Sequence, residues 1–248
     1  MNFREWDLST TLGLPPNFPR VDYNITRDSI DNIPRGCRRS NCERFYLEFL
    51  EVGRGPRQLQ QYPNYAYIKI DFARNFGEYE GVGIFILPDL DGSVPVDGVD
   101  FSEHIPGKMV VVPLPYTQVS GASVRAFQFS TPSRSDSMPL GGLLSSMTRT
   151  GMQHFDFCQS GGRNSLLRGC RDFVFQMLIH MMLSGHIDGG ARTIWPASRY
   201  GLPDVKGVSD TMGKQFGPGM DAENLIRRGR FRNFQRKVAT SSKYEPEL

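Results

Sequence analysis

No stretch of 18 consecutive apolar residues occurs in the chain, so no transmembrane helix is expected. The first fourteen residues carry Arg4, Glu5 and Asp7 and have no apolar centre, so they do not read as a signal peptide. Cysteine is scarce, with only Cys37, Cys42, Cys158 and Cys170. Without a secretory signal the expectation is free thiols and a cytoplasmic location. An excess of either charge is also missing: 29 Lys and Arg face 26 Asp and Glu, for a net charge of +3. That balance gives no footprint for nucleic acid, which is not expected as a partner. Neither a Gly-x-Gly-x-x-Gly turn nor a phosphate loop with its Lys-Ser/Thr is present, so ATP and NAD are not supported. His154 and Cys158 are closely spaced, but no second pair completes a zinc set. The expectation is no metal and no cofactor.

What is present suits a single α+β domain over residues 1–248. Hydrophobic residues are 39% and charged residues 22%, ordinary for a folded chain and too apolar for disorder. The 26 Gly and 17 Pro argue against an all-helical bundle. The 17 Phe and 9 Tyr suit strands and an aromatic-lined pocket.

Residues 1–35 read as an irregular segment, punctuated by Pro15, Pro16, Pro19 and Pro34. Strands are expected over 42–52, 65–72, 81–88, 108–114, 124–129 and 152–158. In the second of these, Tyr65, Tyr67, Lys69 and Asp71 alternate with Ala66, Ile68, Ile70 and Phe72, which predicts one buried face. The period then changes. Residues 171–184 are apolar nearly all round and predict a long buried helix, stopped by Gly185, with a mostly antiparallel sheet packed around it. Residues 187–219 read as Gly-rich and irregular. Residues 220–238 predict a basic surface helix, with Arg227, Arg228, Arg230, Arg232, Arg236 and Lys237 on a solvated face.

The sharpest local feature is Gly169-Cys170-Arg171-Asp172-Phe173-Val174. A thiol at a helix start meets unpaired backbone N–H groups and the positive end of the helix dipole, which favours the thiolate. His154 is the expected base, with Asp156 two residues on as its partner and Arg171 as a further donor. Tyr65 and Tyr67, with Met177, His180 and Met181 on the predicted helix, are expected to line a pocket for an apolar ligand.

The Gly169–Val174 box resembles the nucleophile helices of the NlpC/P60 and lecithin-retinol-acyltransferase families, in which a cysteine precedes Phe-Val by a short spacer. Over residues 40–187 the order of strands, ending in this Gly-Cys-Arg-x-aromatic box, resembles an uncharacterised family of single-domain ascomycete proteins. Members of that family commonly show Asn-His on the first strand, whereas here Asn41 is followed by Cys42. Some small fungal proteins of this kind are pathway cyclases or pericyclases. The resemblance therefore implies a cofactor-independent cyclase or isomerase of secondary metabolism, acting on a hydrophobic small-molecule substrate. The alternatives are a cysteine hydrolase or acyltransferase using Cys170, and a non-enzymatic binding protein using the basic C-terminal helix.

Overall fold

The computed structural model describes residues 12, 14, 18, 21–26, 29–50, 65–89, 104–117, 119–132, 138–159, 167–188, 190–195 and 230–231. Its centre is an antiparallel sheet. The strands are β1 (Tyr23–Asn24), β2 (Asn41–Leu50), β3 (Tyr65–Phe76), β4 (Tyr79–Pro88), β5 (His104–Leu114), β6 (Ser123–Phe129), β7 (Met138–Pro139), β8 (Phe155–Gln159), β9 (Leu167–Arg168), β10 (Ala191–Trp195) and β11 (Arg230–Phe231). The hydrogen-bonded order is β10-β6-β2-β3-β4-β5-β8-β11, with the two-residue strands β1, β7 and β9 beside β5, β2 and β8. Among the described residues three helices accompany it: α1 (Arg35–Arg39), α2 (Leu140–Arg149) and α3 (Cys170–Leu183). The expected α+β class is what the fold shows. No helix among the described residues is long and apolar enough to cross a membrane.

Period-two alternation sends Phe45, Leu47 and Phe49 of β2, with Ile68 and Ile70 of β3, to one face. Phe173, Val174, Met177 and Met181 of α3 pack on that face. Each such side chain removed from water contributes about 1.5–3 kcal/mol. The second face is buried as well, by Leu50, Tyr65, Tyr67, Phe85, Val110 and Leu114, with Leu12 packed against them. β3 thus buries both faces from Tyr65 to Phe72, rather than the single face its alternation predicts.

The helix α3 is narrower in its burial than its composition suggests. Arg171, Asp172, Phe173, Val174, Met177, Leu178 and Met181 are buried, while Leu183 is 64% exposed. The sheet lies along one side of α3 and does not wrap it. Gly185, at φ 71°, ends the helix in the left-handed region that glycine tolerates best.

Several expectations shift. Residues 139–150 received no element from the sequence, yet α2 forms there and buries Leu140, Leu143, Leu144 and Met147. That is the i, i+3, i+4, i+7 spacing of a one-sided helix, obscured by Gly141 and Gly142. β10 occupies residues 191–195 inside the stretch read as irregular, held in register by β6. Arg230 and Phe231, expected inside a helix, form β11 on β8. The remainder of 220–238 lies outside the described residues. The Pro-rich N-terminal segment contributes Ile25 and Ile33 to the main core and β1 to the sheet.

Candidate functional site

The register of the central strands builds a polar lattice on the face away from α3. Arg192 on β10 lies opposite Gln128 on β6, Gln128 opposite Tyr46 on β2, Tyr46 opposite Lys69 on β3, and Lys69 opposite Gly83 on β4. One row of residues therefore crosses five strands. A row to one side pairs Arg44 with Asp71, and a row to the other pairs Glu48 with Tyr67. Directly opposed residues on one face of an antiparallel pair sit about 4.5–5.5 Å apart at Cβ, close enough to interact.

The inner part of this lattice is fully buried. Glu48, Lys69 and Asp71 are each 0% exposed. Lone charges could not survive there, because desolvation of one ion costs several kcal/mol. They are arranged as partners. The Lys69 ammonium is ion-paired and hydrogen-bonded to Asp71 Oδ1. Its Nζ lies 5.0 Å from the Tyr46 ring centre and 5.2 Å from that of Tyr116, so two aromatic faces flank the cation. The Tyr46 hydroxyl donates to Asp71 Oδ2 at 2.9 Å, and Arg44 Nε lies 3.3 Å from the same oxygen. Glu48 Oε2 accepts from the Ser120 backbone N–H at 3.0 Å and from the Ser123 hydroxyl. Ser120 Oγ in turn donates to the Leu12 carbonyl at 3.0 Å. Glu48 thus fastens the connection between β5 and β6 to the centre of the sheet.

Burial sets the acid–base character of the cluster. It pushes the Glu48 carboxyl up to about 6, against the pull of Ser123 and Lys69. It lowers Lys69, with Asp71 opposing. Burial first and Asp71 second push the Tyr46 phenol well up, so that it stays protonated at neutral pH. Tyr67 rises through burial and then Glu48, and Tyr116 does likewise.

Two glycines make room for this arrangement. A Cβ on Gly83 would stand 2.5 Å from the Phe85 ring and 3.1 Å from the Tyr67 ring. Without it those rings stack at 4.4 Å and 9° above the strand. A Cβ on Gly81, in the Asp71 row, would stand 2.2 Å from the Ile70 carbonyl oxygen.

The lattice opens to solvent at its outer end. A cleft of about 550 Å³ is lined by Arg44, Tyr46, Thr117, Val119, Ser120, Gly121, Gln128, Arg192 and Ile194. Tyr46 belongs to both regions: it is part of the cleft lining although only 1% exposed, and its hydroxyl reaches the buried Asp71. The cleft has the size of a small-molecule site and a mixed, partly cationic wall.

The structure brings some of the residues selected from sequence together, Cys170 with Tyr65 and Arg171, and places others elsewhere. Cys170 opens α3 as expected, but burial raises its thiol rather than activating it, with Arg171 and the Ala66 backbone only partly opposing. Arg171 places its guanidinium 5.3 Å from the Phe49 ring centre. His154 precedes β8, with its ring Nε2 3.2 Å from the Gln153 side chain, and Asp156 is buried within β8. Cys170 meets Ala66, Tyr65 and Arg171, and His154 is not among its partners in the described residues. The Tyr65 hydroxyl donates to the Ile86 carbonyl, and Tyr67 joins the Glu48 row. Met177 and Met181 are core residues on the opposite face. His180 Nε2 lies 3.2 Å from Ser146 Oγ, which His186 Nε2 approaches to 3.4 Å, so the two imidazoles clasp α2 to α3. The described residues bring no three His, Cys, Asp or Glu together as a metal site.

Sequence reasoning passed over Arg44, Tyr46, Glu48, Lys69 and Asp71. Their signal was visible as two matching alternations, Arg-x-Tyr-x-Glu and Tyr-x-Lys-x-Asp. No family model, no curated protein and no solved structure matches the chain.

Proposed function

We propose that the protein is a cofactor-independent acid–base enzyme, an isomerase or cyclase, whose small-molecule substrate sits in the cleft over Tyr46. The observation that carries this reading is Tyr46, a buried residue of the cleft lining whose hydroxyl donates at 2.9 Å to an Asp71 buried beside Lys69. The arrangement supports a relay. A substrate proton passes to the Tyr46 oxygen as the Tyr46 proton moves to Asp71 Oδ2. The reverse transfer then returns a proton to another atom of the substrate. Atoms and charge balance with no oxidant or reductant, which is the requirement of isomerisation and of ring closure. Lys69 and Arg44 beside Asp71 balance the charge that moves, around a carboxylate that is itself fully buried. The cleft contributes by holding the substrate in its reactive conformer.

The apolar substrate expected from sequence gives way in this reading to a molecule with polar groups, because the wall holds Arg44, Arg192, Gln128 and Ser120 beside Val119 and Ile194. Acyl transfer through Cys170 gains no support, since burial raises its thiol.

The test uses the full chain in D₂O with a metabolite extract, read by untargeted mass spectrometry. A relay that removes and returns protons places deuterium in its substrate or yields an isomer. Tyr46→Phe keeps the ring and removes the relay oxygen. It should reduce that signal by about a hundredfold or more, the scale of lost general acid–base catalysis. The reading fails if no extract component exchanges or isomerises, or if Tyr46→Phe is as active as the original chain.

A further inference from the structure

The geometry points to an anion subsite at the outer end of the polar row, where Arg192 binds the carboxylate or phosphate group of the molecule in the cleft. This assigns a substrate class to the cleft and rests on the proposed function for its catalytic meaning, but the binding itself does not depend on turnover.

Arg192 is an exposed residue of β10 with a fixed orientation. The Gln128 Oε1 atom accepts from its Nε at 3.1 Å and from its Nη2 at 2.6 Å. Gln128 is its register partner on the neighbouring strand, so backbone pairing holds both ends of the contact. The acceptor is a neutral amide. It fixes the plane of the guanidinium and cancels none of its charge.

The other arginines of this region differ. Arg44, which also lines the cleft, lies 3.3 Å from Asp71 and 3.4 Å from Glu43, so its charge is shared with two carboxylates. Arg38, elsewhere on the surface, is paired with Asp31 at 2.6 Å. Among the described residues no carboxylate lies within ion-pair distance of Arg192. The edge formed by its Nη1 and Nη2 atoms retains its donors, and the residue borders the cleft. A guanidinium presents these donors as a planar fork that matches two oxygens of a carboxylate or phosphate. The same strand row then leads from Gln128 to Tyr46 and on to Lys69. A molecule anchored by its acidic group at Arg192 has its body over Tyr46, where the relay begins.

The experiment is an NMR titration of the full chain, following the Arg192 side-chain Nε–H at constant ionic strength. The probes are inorganic phosphate and benzoate. One is a tetrahedral dianion without an apolar body. The other is a planar carboxylate with a ring to rest against Val119 and Ile194. The expected result is saturable binding of at least one probe in the millimolar range or tighter. Preference for benzoate assigns a carboxylate substrate, and preference for phosphate a phosphorylated one. Arg192→Gln should weaken binding at least tenfold. Gln128→Leu, which removes the orienting acceptor and keeps the cation, should weaken it less than Arg192→Gln does. Arg192 is exposed, and unchanged melting of its variant keeps the comparison clean.

The inference is overturned if neither probe saturates or if Arg192→Gln binds as tightly as the original chain. Anion binding at Arg192 together with an inert Tyr46→Phe comparison in the D₂O assay would retain the subsite and remove only the enzymatic reading.

Discussion

Replacing Glu48 by glutamine removes a charge from the interior while keeping an acceptor oxygen for the Ser120 N–H and the Ser123 hydroxyl. The folded chain holds the Glu48 proton more tightly than the unfolded chain does, because burial lifts the carboxyl from 4.5 to about 6. At about 1.4 kcal/mol for each pH unit, that gap amounts to about 2 kcal/mol. The sign follows from the direction. A raised folded value means that the group's stabilising contribution is complete below pH 4.5 and is lost as pH rises through 6. Between pH 7.5 and pH 5.0 the original protein should gain about 1 kcal/mol from Glu48 alone, and Glu48→Gln should gain nothing from this position. Urea unfolding of both proteins across that range measures the difference. Other titrating groups, His180 and His186 included, act equally in both chains and cancel. The absolute stability at pH 7.5 is a poorer readout, since the variant also leaves Lys69 with one carboxylate fewer. Parallel stability–pH curves for the two proteins would refute the reasoning, because they would mean that Glu48 titrates in the folded state as it does in water.

Three further outcomes are expected. Gly83→Ala should lower stability by about 1–3 kcal/mol in thermal or urea unfolding, since its new methyl would meet the Phe85 and Tyr67 rings; an unchanged midpoint would show that the stacked rings move freely. Burial lowers both His180 and His186, and His180 lowers His186 further, so stability from the clasp is present above pH 6.5 and lost as pH falls below it. The double variant His180→Gln/His186→Gln should flatten that acid-side loss, and an unaltered pH profile would remove the clasp from the account. Iodoacetamide at pH 7.5 should label Cys170 more slowly than an unfolded cysteine peptide, because burial raises its thiol; faster labelling, read by mass spectrometry, would restore it as a nucleophile.

Much of the sheet was legible in the sequence because β2 to β6 carry dense apolar alternation bounded by Gly and Pro. The start of α3 at Cys170 and its stop before Gly185 were legible for the same kind of reason, since a 3.6-residue period and a glycine are local signals. The polar lattice was harder to read. Lys69 and Asp71 occupy alternate positions of a strand, and that pattern has the same appearance whether the polar side meets water or meets Tyr46, Tyr116 and Arg44. Only pairing to β2 decides the matter, and β2 pairs with β3 across residues 51–64. The cleft depends on longer separations still. Arg192 is 64 residues from Gln128 and far from Tyr46 in the chain. The pairing of Cys170 with His154 rests on non-local geometry of the same kind, since 16 positions of chain separate them and no periodic pattern joins them. α2 was missed because two glycines masked a short one-sided helix.

The crossing row has a consequence for how the sheet assembles. Side chains of a strand change faces with every one-residue slip. A slip of β3 against β2 would carry Lys69 and Asp71 to the side where Ile68, Ile70 and α3 pack, away from Tyr46, Arg44 and Glu48. The wrong pairing would place two charges against hydrocarbon, where an unpaired buried group costs several kcal/mol. Long apolar strands by themselves would tolerate neighbouring alignments far better. The lattice therefore acts as proofreading for strand alignment during folding. In a survey of substitutions scored only by recovery of folded protein, Glu48, Lys69 and Asp71 should rank with the core phenylalanines, whatever the cleft binds.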